Sequence, residues 1–198
     1  MKKDRLEPFS DCVFSIVATL LVIELKLPET GTVIHALGVI APKLLVFVLS
    51  FIIVGTYWVA HHTLFNFIHR VDRNLLWLNN LNLLSITFLP FPTAVLGSHP
   101  FEIGAIVLYG ATLILVNLTM SFIWLYASHK DGYMVDKVTP EFARRLRWLQ
   151  LLPLAGYSLA IALADFVPVA SLAIFVLVPA FFIIPNKWYR KATGGNIR

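Results

Sequence analysis

Six apolar stretches divide this chain, at about residues 9–27, 43–67, 75–97, 103–128, 147–164 and 167–185. A bilayer core about 30 Å thick takes roughly 20 mostly apolar residues of helix to cross. Each stretch meets or approaches that length, so the pattern predicts six transmembrane helices in one domain spanning 1–198. In hydrocarbon only helices and closed barrels satisfy their own backbone polar groups, and no stretch sustains the alternation of a barrel strand. The expected fold class is therefore an all-α integral membrane protein. Composition agrees, with 58% hydrophobic and 14% charged residues, against about 45–50% and about 25% in soluble domains. A single cysteine, Cys12, leaves no disulfide scaffold to consider.

The charges set an orientation. Lys2, Lys3 and Arg5 precede the first stretch, and Arg70 and Arg73 lie between the second and third. Lys130, Lys137, Arg144, Arg145 and Arg147 occupy the fourth connection, and Lys187, Arg190, Lys191 and Arg198 form the tail. That puts 14 of the 16 Lys and Arg on one side, with Lys26 and Lys43 opposite. The positive-inside rule then places both termini in the cytoplasm, and an even number of spans agrees by putting them on the same side. The net charge of +5 is thus explained by topology, and no nucleic-acid partner is expected.

Three strings look like something else. The basic start followed by an apolar run resembles a signal peptide, but no small-residue cleavage site follows and Glu24 and Lys26 close the run. Residues 27–31 read LPETG, a sortase signal, but in a first external loop with five spans to come. Val54-Gly55-Thr56-Tyr57 shares letters with a carbonyl-lined potassium filter, yet sits inside a helix.

Polar groups at membrane depth are more informative, because ionisable side chains there cost roughly 2.5–3.5 kcal/mol each. Asp11 lies one turn into the first helix, His61 and His62 near the end of the second, and Asn79, Asn80 and Asn82 at the start of the third. Each alone reads as a helix cap or an interfacial residue. Their common depth near the cytoplasmic face argues instead for one shared network. Adjacent histidines cannot share a helical face, so a metal site is not expected and no cofactor is implied. On the first helix, Ile16, Leu20 and Ile23 fall within about 60° of one another. Asp11 and Ser15 project from roughly the opposite side, so the expectation is aliphatics toward an axis or lipid and polar groups toward the bundle. From spacing alone such a stripe is ordinary packing or lipid contact.

The string Arg5-Leu6-Glu7-Pro8-Phe9-Ser10-Asp11 adds to this. An R-x-x-x-F-S-D motif opening the first membrane helix resembles the transmembrane protein 175 family, potassium-permeable channels of lysosomes and prokaryotic membranes. The continuation VFSIVATLLVIELKLP, WVAHH in the second helix and LLWLN in the third resemble it too. The position-specific likeness covers residues 5–97; beyond that it rests on span count and topology. One departure is Cys12, where the family commonly has glycine.

The resemblance implies a pore lined by first helices, with Ile16 as an aliphatic constriction and Ile23 as a second ring. Thr19 or Leu20 would form the layer between, Thr19 by its hydroxyl and Leu20 by its angle. The resemblance also implies that Arg5, Phe9, Ser10 and Asp11 anchor the pore helix, with Asp11 pairing to Trp58, His62 or Asn79. Eukaryotic relatives carry two six-helix repeats; here the motif occurs once. A homotetramer in the plasma membrane of a bacterium, conducting potassium ions through the lipid bilayer, is thus implied.

A proton-coupled transporter using Asp11 and His62 is the alternative, although inverted repeats and a broken mid-membrane helix pair are not visible. Leu89-Pro90-Phe91-Pro92 reads as a kink in the third helix. An enzyme is not expected, since no two-acid site, Ser-His-Asp set or H-E-x-x-H stands out.

Overall fold

A computed structural model of the protein describes residues 3–28, 31–130, 132–134 and 138–183. The basic residues Lys2, Lys137, Lys187, Arg190, Lys191 and Arg198 lie outside these, as do Glu29 and Thr30 and the last two positions of the sixth apolar stretch. After a short 3-10 turn, Lys3–Arg5, seven α-helices follow: α1 (Leu6–Ile23), α2 (Val33–Asn66), α3 (Arg73–Thr87), α4 (Pro90–Ser98), α5 (Ile103–His129), α6 (Pro140–Leu163) and α7 (Pro168–Ile183). Among the described residues the one β-type pairing is an isolated antiparallel bridge between Ile68 and Met134.

Several boundaries differ from those expected, two of them because side-chain caps set them and hydropathy does not weigh caps. The Thr32 hydroxyl accepts from the His35 N–H at 3.3 Å and starts α2 at Val33, ten residues before the apolar stretch. Thr139 accepts from the Phe142 N–H at 3.2 Å, so α6 begins at Pro140 and carries Arg144, Arg145 and Arg147 on its first turns. α1 begins at Leu6, since Pro8 is tolerated in a first turn. It ends at Ile23, where the Glu24 N–H turns back to Val22 O. At 34 residues α2 is roughly 50 Å long, well beyond the bilayer core.

The third apolar stretch is not one kinked helix but two. Pro90 and Pro92 have no N–H to give, and the Leu89 N–H bonds back to Ile86 O at 3.1 Å, closing α3 before α4 starts at Pro90. Arg73–Ser98 as a whole is one of five segments long and apolar enough to cross a membrane; the others are α1, α2, α5 and Glu141–Leu163. α7 is apolar but shorter.

α5 is the centre of the bundle, packing on α3, α4, α6 and α7. Its Tyr109, Leu113, Val116 and Ile123 are wholly buried. Two glycines allow the close approaches: a Cβ on Gly110 would lie 2.8 Å from Ile161, and one on Gly156 2.7 Å from Val178. α6 and α7 form a tight hairpin, with the Ser171 hydroxyl donating to Ala160 O at 2.7 Å. α1 lies against α2 and α3.

Asp72 organises the α2–α3 corner. Its Oδ1 accepts from the Leu75 N–H at 2.9 Å as the cap of α3. Its Oδ2 accepts from the Tyr126 hydroxyl at 2.6 Å and from Lys130 Nζ at 2.7 Å. Partial burial alone would raise this carboxyl, but the bonds from Lys130, Tyr126 and Leu75 outweigh it and hold Asp72 well below the usual carboxylate range. Loss of the cap in Asp72→Ala is expected to cost about 0.5–2 kcal/mol, read as a lower unfolding temperature in detergent. Because the folded carboxyl titrates below its unfolded value, its contribution is complete above about pH 4 and is lost only as pH falls through the folded value. The difference between wild type and variant should therefore be flat from pH 5 to 8, and a difference that grows across that range would contradict the assignment.

Candidate functional site in the first helix

α1 has two faces. Leu6, Ser10, Phe14, Val17 and Leu21 follow one another at steps of three and four and are buried against the bundle. Cys12, Ser15, Ile16, Thr19, Leu20, Val22 and Ile23 are exposed on the isolated chain. Ile16 is 56% and Ile23 60% exposed, whereas Leu20 is 38%. At about 100° per residue, Thr19 projects about 180° from the buried stripe and Leu20 only about 80°. Leu20 leans to the flank where a groove also takes in Phe88 and Phe91. The Thr19 hydroxyl donates to Ile16 O at 2.8 Å. Ser15, expected to face the bundle, is exposed with Ile16, because 100° of rotation from Phe14 carries it off the buried stripe.

The residue that turns the motif inward is Ser10, wholly buried. Its hydroxyl donates to Leu6 O at 2.9 Å and accepts from Asn79 Nδ2 at 3.0 Å. Asn79 Oδ1 faces His61 Nε2 at 2.8 Å. Since the Asn79 amide nitrogen is given to Ser10, its oxygen must accept, which places the hydrogen on His61 Nε2. The His61 ring packs against Phe14, at 5.4 Å between centroids, and Phe65, at 4.5 Å, both tilted to it.

A second link lies beside it. Asp11, half-buried at the edge of the interface, accepts from the Trp58 indole N–H at 2.8 Å. Of the three partners expected for Asp11, Trp58 alone bonds it directly. Asn79 is one residue removed, on Ser10, and His62 stacks on the Trp58 ring at 6.0 Å between centroids. Arg5 and Phe9 are exposed, Phe9 at 56%, so the single chain does not gather the whole motif at one point. At the start of the helix Lys3 pairs with Glu7 at 3.0 Å and also donates to Phe65 O, tying α1 to the end of α2.

Sequence reading placed His62 in this network, and the structure places His61 there. The spacing held the information: Ile53, Val54, Tyr57, His61, Leu64 and Phe65 form one buried stripe on α2, and His62 falls off it. Among the described residues no three His, Cys, Asp or Glu side chains gather as a metal site.

Residues 5–90 match the family described as Endosomal/lysosomal potassium channel TMEM175. A relative from Chryseobacterium sp. (strain P1-3), named a potassium channel, is 31% identical over 99% of this chain and 100% of its own length. Another from Streptomyces collinus, also named a potassium channel, is 35% identical over 81% of each chain. Among solved structures, the crystal structure of a lysosomal potassium-selective channel homologue from Chamaesiphon minutus superposes with a TM-score of 0.79 at 28% identity. That match covers 90% of this chain and 95% of the other.

The two histidines should separate cleanly on mutation. His61→Ala leaves the Asn79 oxygen without its donor and removes a ring from a packed stripe, an expected loss of about 2–4 kcal/mol. His62→Ala, at an exposed position, should stay within about 0.5 kcal/mol. Thermal unfolding of both variants in the same detergent decides between them, and equal losses would contradict the inward placement of His61.

Proposed function

This chain belongs to the TMEM175 family, and from that premise we propose that it is a passive potassium channel of a bacterial plasma membrane. The observation that carries the reading is the match to a relative named a potassium channel along that relative's whole length. The chain is an integral membrane protein. Its arrangement in the bilayer is six crossings with both termini in the cytoplasm. Placing 14 of the 16 Lys and Arg on one side supports this.

Four chains assemble with their α1 helices around one axis. Support comes from the single copy of the motif and from the make-up of the free α1 face. That face mixes Ser15 and Thr19 with Ile16 and Ile23, which suits a wet axis better than lipid contact. Ile16 forms the constriction and Ile23 the outer ring, gating by dewetting. Thr19 supplies the layer between, since it projects farther from the bundle than Leu20. Asp11, held by Trp58, and Ser10, held by Asn79, fix the rotation at which α1 presents these side chains.

Protein in liposomes under a potassium gradient tests the activity: current should reverse near the potassium equilibrium potential, and flux that requires a proton gradient would overturn it. Ile16→Asn should raise conductance several-fold by wetting the constriction. Thr19→Ala should change the preference for potassium over sodium, while Leu20→Ala should leave it within about twofold; the reverse pattern would put Leu20 in the middle layer. Asp11→Ala should impair assembly or gating with ion preference retained, and the opposite result would remove Asp11 from its anchoring role.

A further inference from the structure

The connection from α2 to α3 forms an open cleft whose walls include His69, Arg70, Asp72, Arg73 and Tyr133. α2 and the segment Arg73–Ser98 are each long and apolar enough to cross a membrane, so the corner between them lies at a membrane surface. The corner is braced against the end of α5. Ile68 and Met134 form the antiparallel bridge, the His69 N–H donates to Tyr133 O at 2.7 Å, and Asp72 is held by Tyr126 and Lys130. Lys130 thereby offsets the Asp72 charge. Among the described residues the ion pairs are Lys3–Glu7 and Lys130–Asp72, and neither Arg70 nor Arg73 takes part in one. Arg70 rests against the turn at Gly132, where a Cβ would lie 3.7 Å from its Nη1. A guanidinium presents a planar fork of donors that fits two phosphate oxygens at once, and a braced loop loses little freedom in binding them.

The next turns of α3 indicate the source of the phosphate. Trp77 lies about 6 Å beyond Arg73 along the helix and about 40° round it, and is 63% exposed. Exposed tryptophans gather at the level of lipid headgroups. Leu81 and Leu84 continue that exposed face toward the middle of the membrane segment. Guanidinium, indole and aliphatic side chains thus follow one another in the order of a phospholipid's phosphate, glycerol and chains. A zwitterionic headgroup would bring a cation of its own toward the two arginines, which favours an anionic one. We infer that the α2–α3 corner binds an anionic phospholipid, its phosphate on Arg70 and Arg73 and its chains along Trp77, Leu81 and Leu84. The corner joins α2, which carries Trp58 and His61, to α3, which carries Asn79, so the lipid braces the two helices that hold α1.

Purified, delipidated protein in detergent is titrated with palmitoyl-oleoyl phosphatidylglycerol, with the matching phosphatidylcholine, and with soluble glycerol phosphate, and native mass spectrometry counts the adducts. Phosphatidylglycerol should saturate one tight site per chain and bind roughly ten- to thirtyfold more tightly than phosphatidylcholine, the worth of two arginines at a membrane surface. Arg70→Ala/Arg73→Ala should bring the two lipids within about twofold. Arg144→Ala/Arg147→Ala removes the same charge from α6 and should keep the preference. Both arginines of the corner are exposed, so an unchanged unfolding temperature is expected for their variant. Equal affinity for the two lipids in the wild type, a comparison that needs no variant to fold, would overturn the site. Equal losses in the two double variants would reduce it to diffuse surface charge and overturn it too. Displacement of phosphatidylglycerol by millimolar glycerol phosphate would make the ligand a soluble phosphate and overturn the lipid assignment. None of these readouts depends on ion conduction.

Discussion

The rotation of α1 about its own axis rests on one buried chain of hydrogen bonds, from Leu6 O through Ser10 and Asn79 to His61. Apolar side chains gain little by leaving lipid tails for a protein interface, so an aliphatic stripe does not by itself choose which way a membrane helix turns. Polar groups do choose, because their alternative is an unpaired donor or acceptor in hydrocarbon. Ser10, Asn79 and His61 are 0%, 1% and 2% exposed, and each satisfies the next. With Ser10 held inward, geometry alone sends Thr19 outward and puts Ile16 and Ile23 on the same free face.

The same logic recurs through the bundle. The Thr93 hydroxyl donates to Ser50 at 2.9 Å and Ser50 meets the Tyr109 hydroxyl at 2.8 Å, joining α4, α2 and α5. Asn82 joins α3 to α5 through the Thr119 hydroxyl at 3.0 Å and Val116 O at 3.1 Å. Such bonds average only about 0.6 kcal/mol in membrane proteins, so their number and their three-dimensional consistency matter more than any single one.

Much of this was legible in the sequence. The apolar stretches located every membrane-length helix, and Pro90 and Pro92 marked the place where the third one breaks. The motif pointed to Ser10 and Asp11, and the common depth of Asp11, His61/His62 and Asn79 anticipated that these helices meet. Hydropathy missed the capped extensions at Thr32 and Thr139, because a cap is one local hydrogen bond and leaves no trace in an average over many residues. It also missed Lys3, whose bond to Phe65 O, beside a local pairing with Glu7, joins groups brought together only by the approach of α1 to α2.

The sequence by itself determined the class of fold, the place of an irregularity at Pro90 and Pro92, read as a kink where the structure has a break, and the family motif, since apolar length, missing N–H groups and a seven-residue string are properties of the chain. Only the tertiary structure decided between His61 and His62, between Trp58 and the other candidates for Asp11, and the relative directions of Thr19 and Leu20. Each of those choices is a rotation of one helix relative to its neighbours. Residues one apart in sequence differ by about 100° in direction, and nothing short of packed helices states which direction is inward.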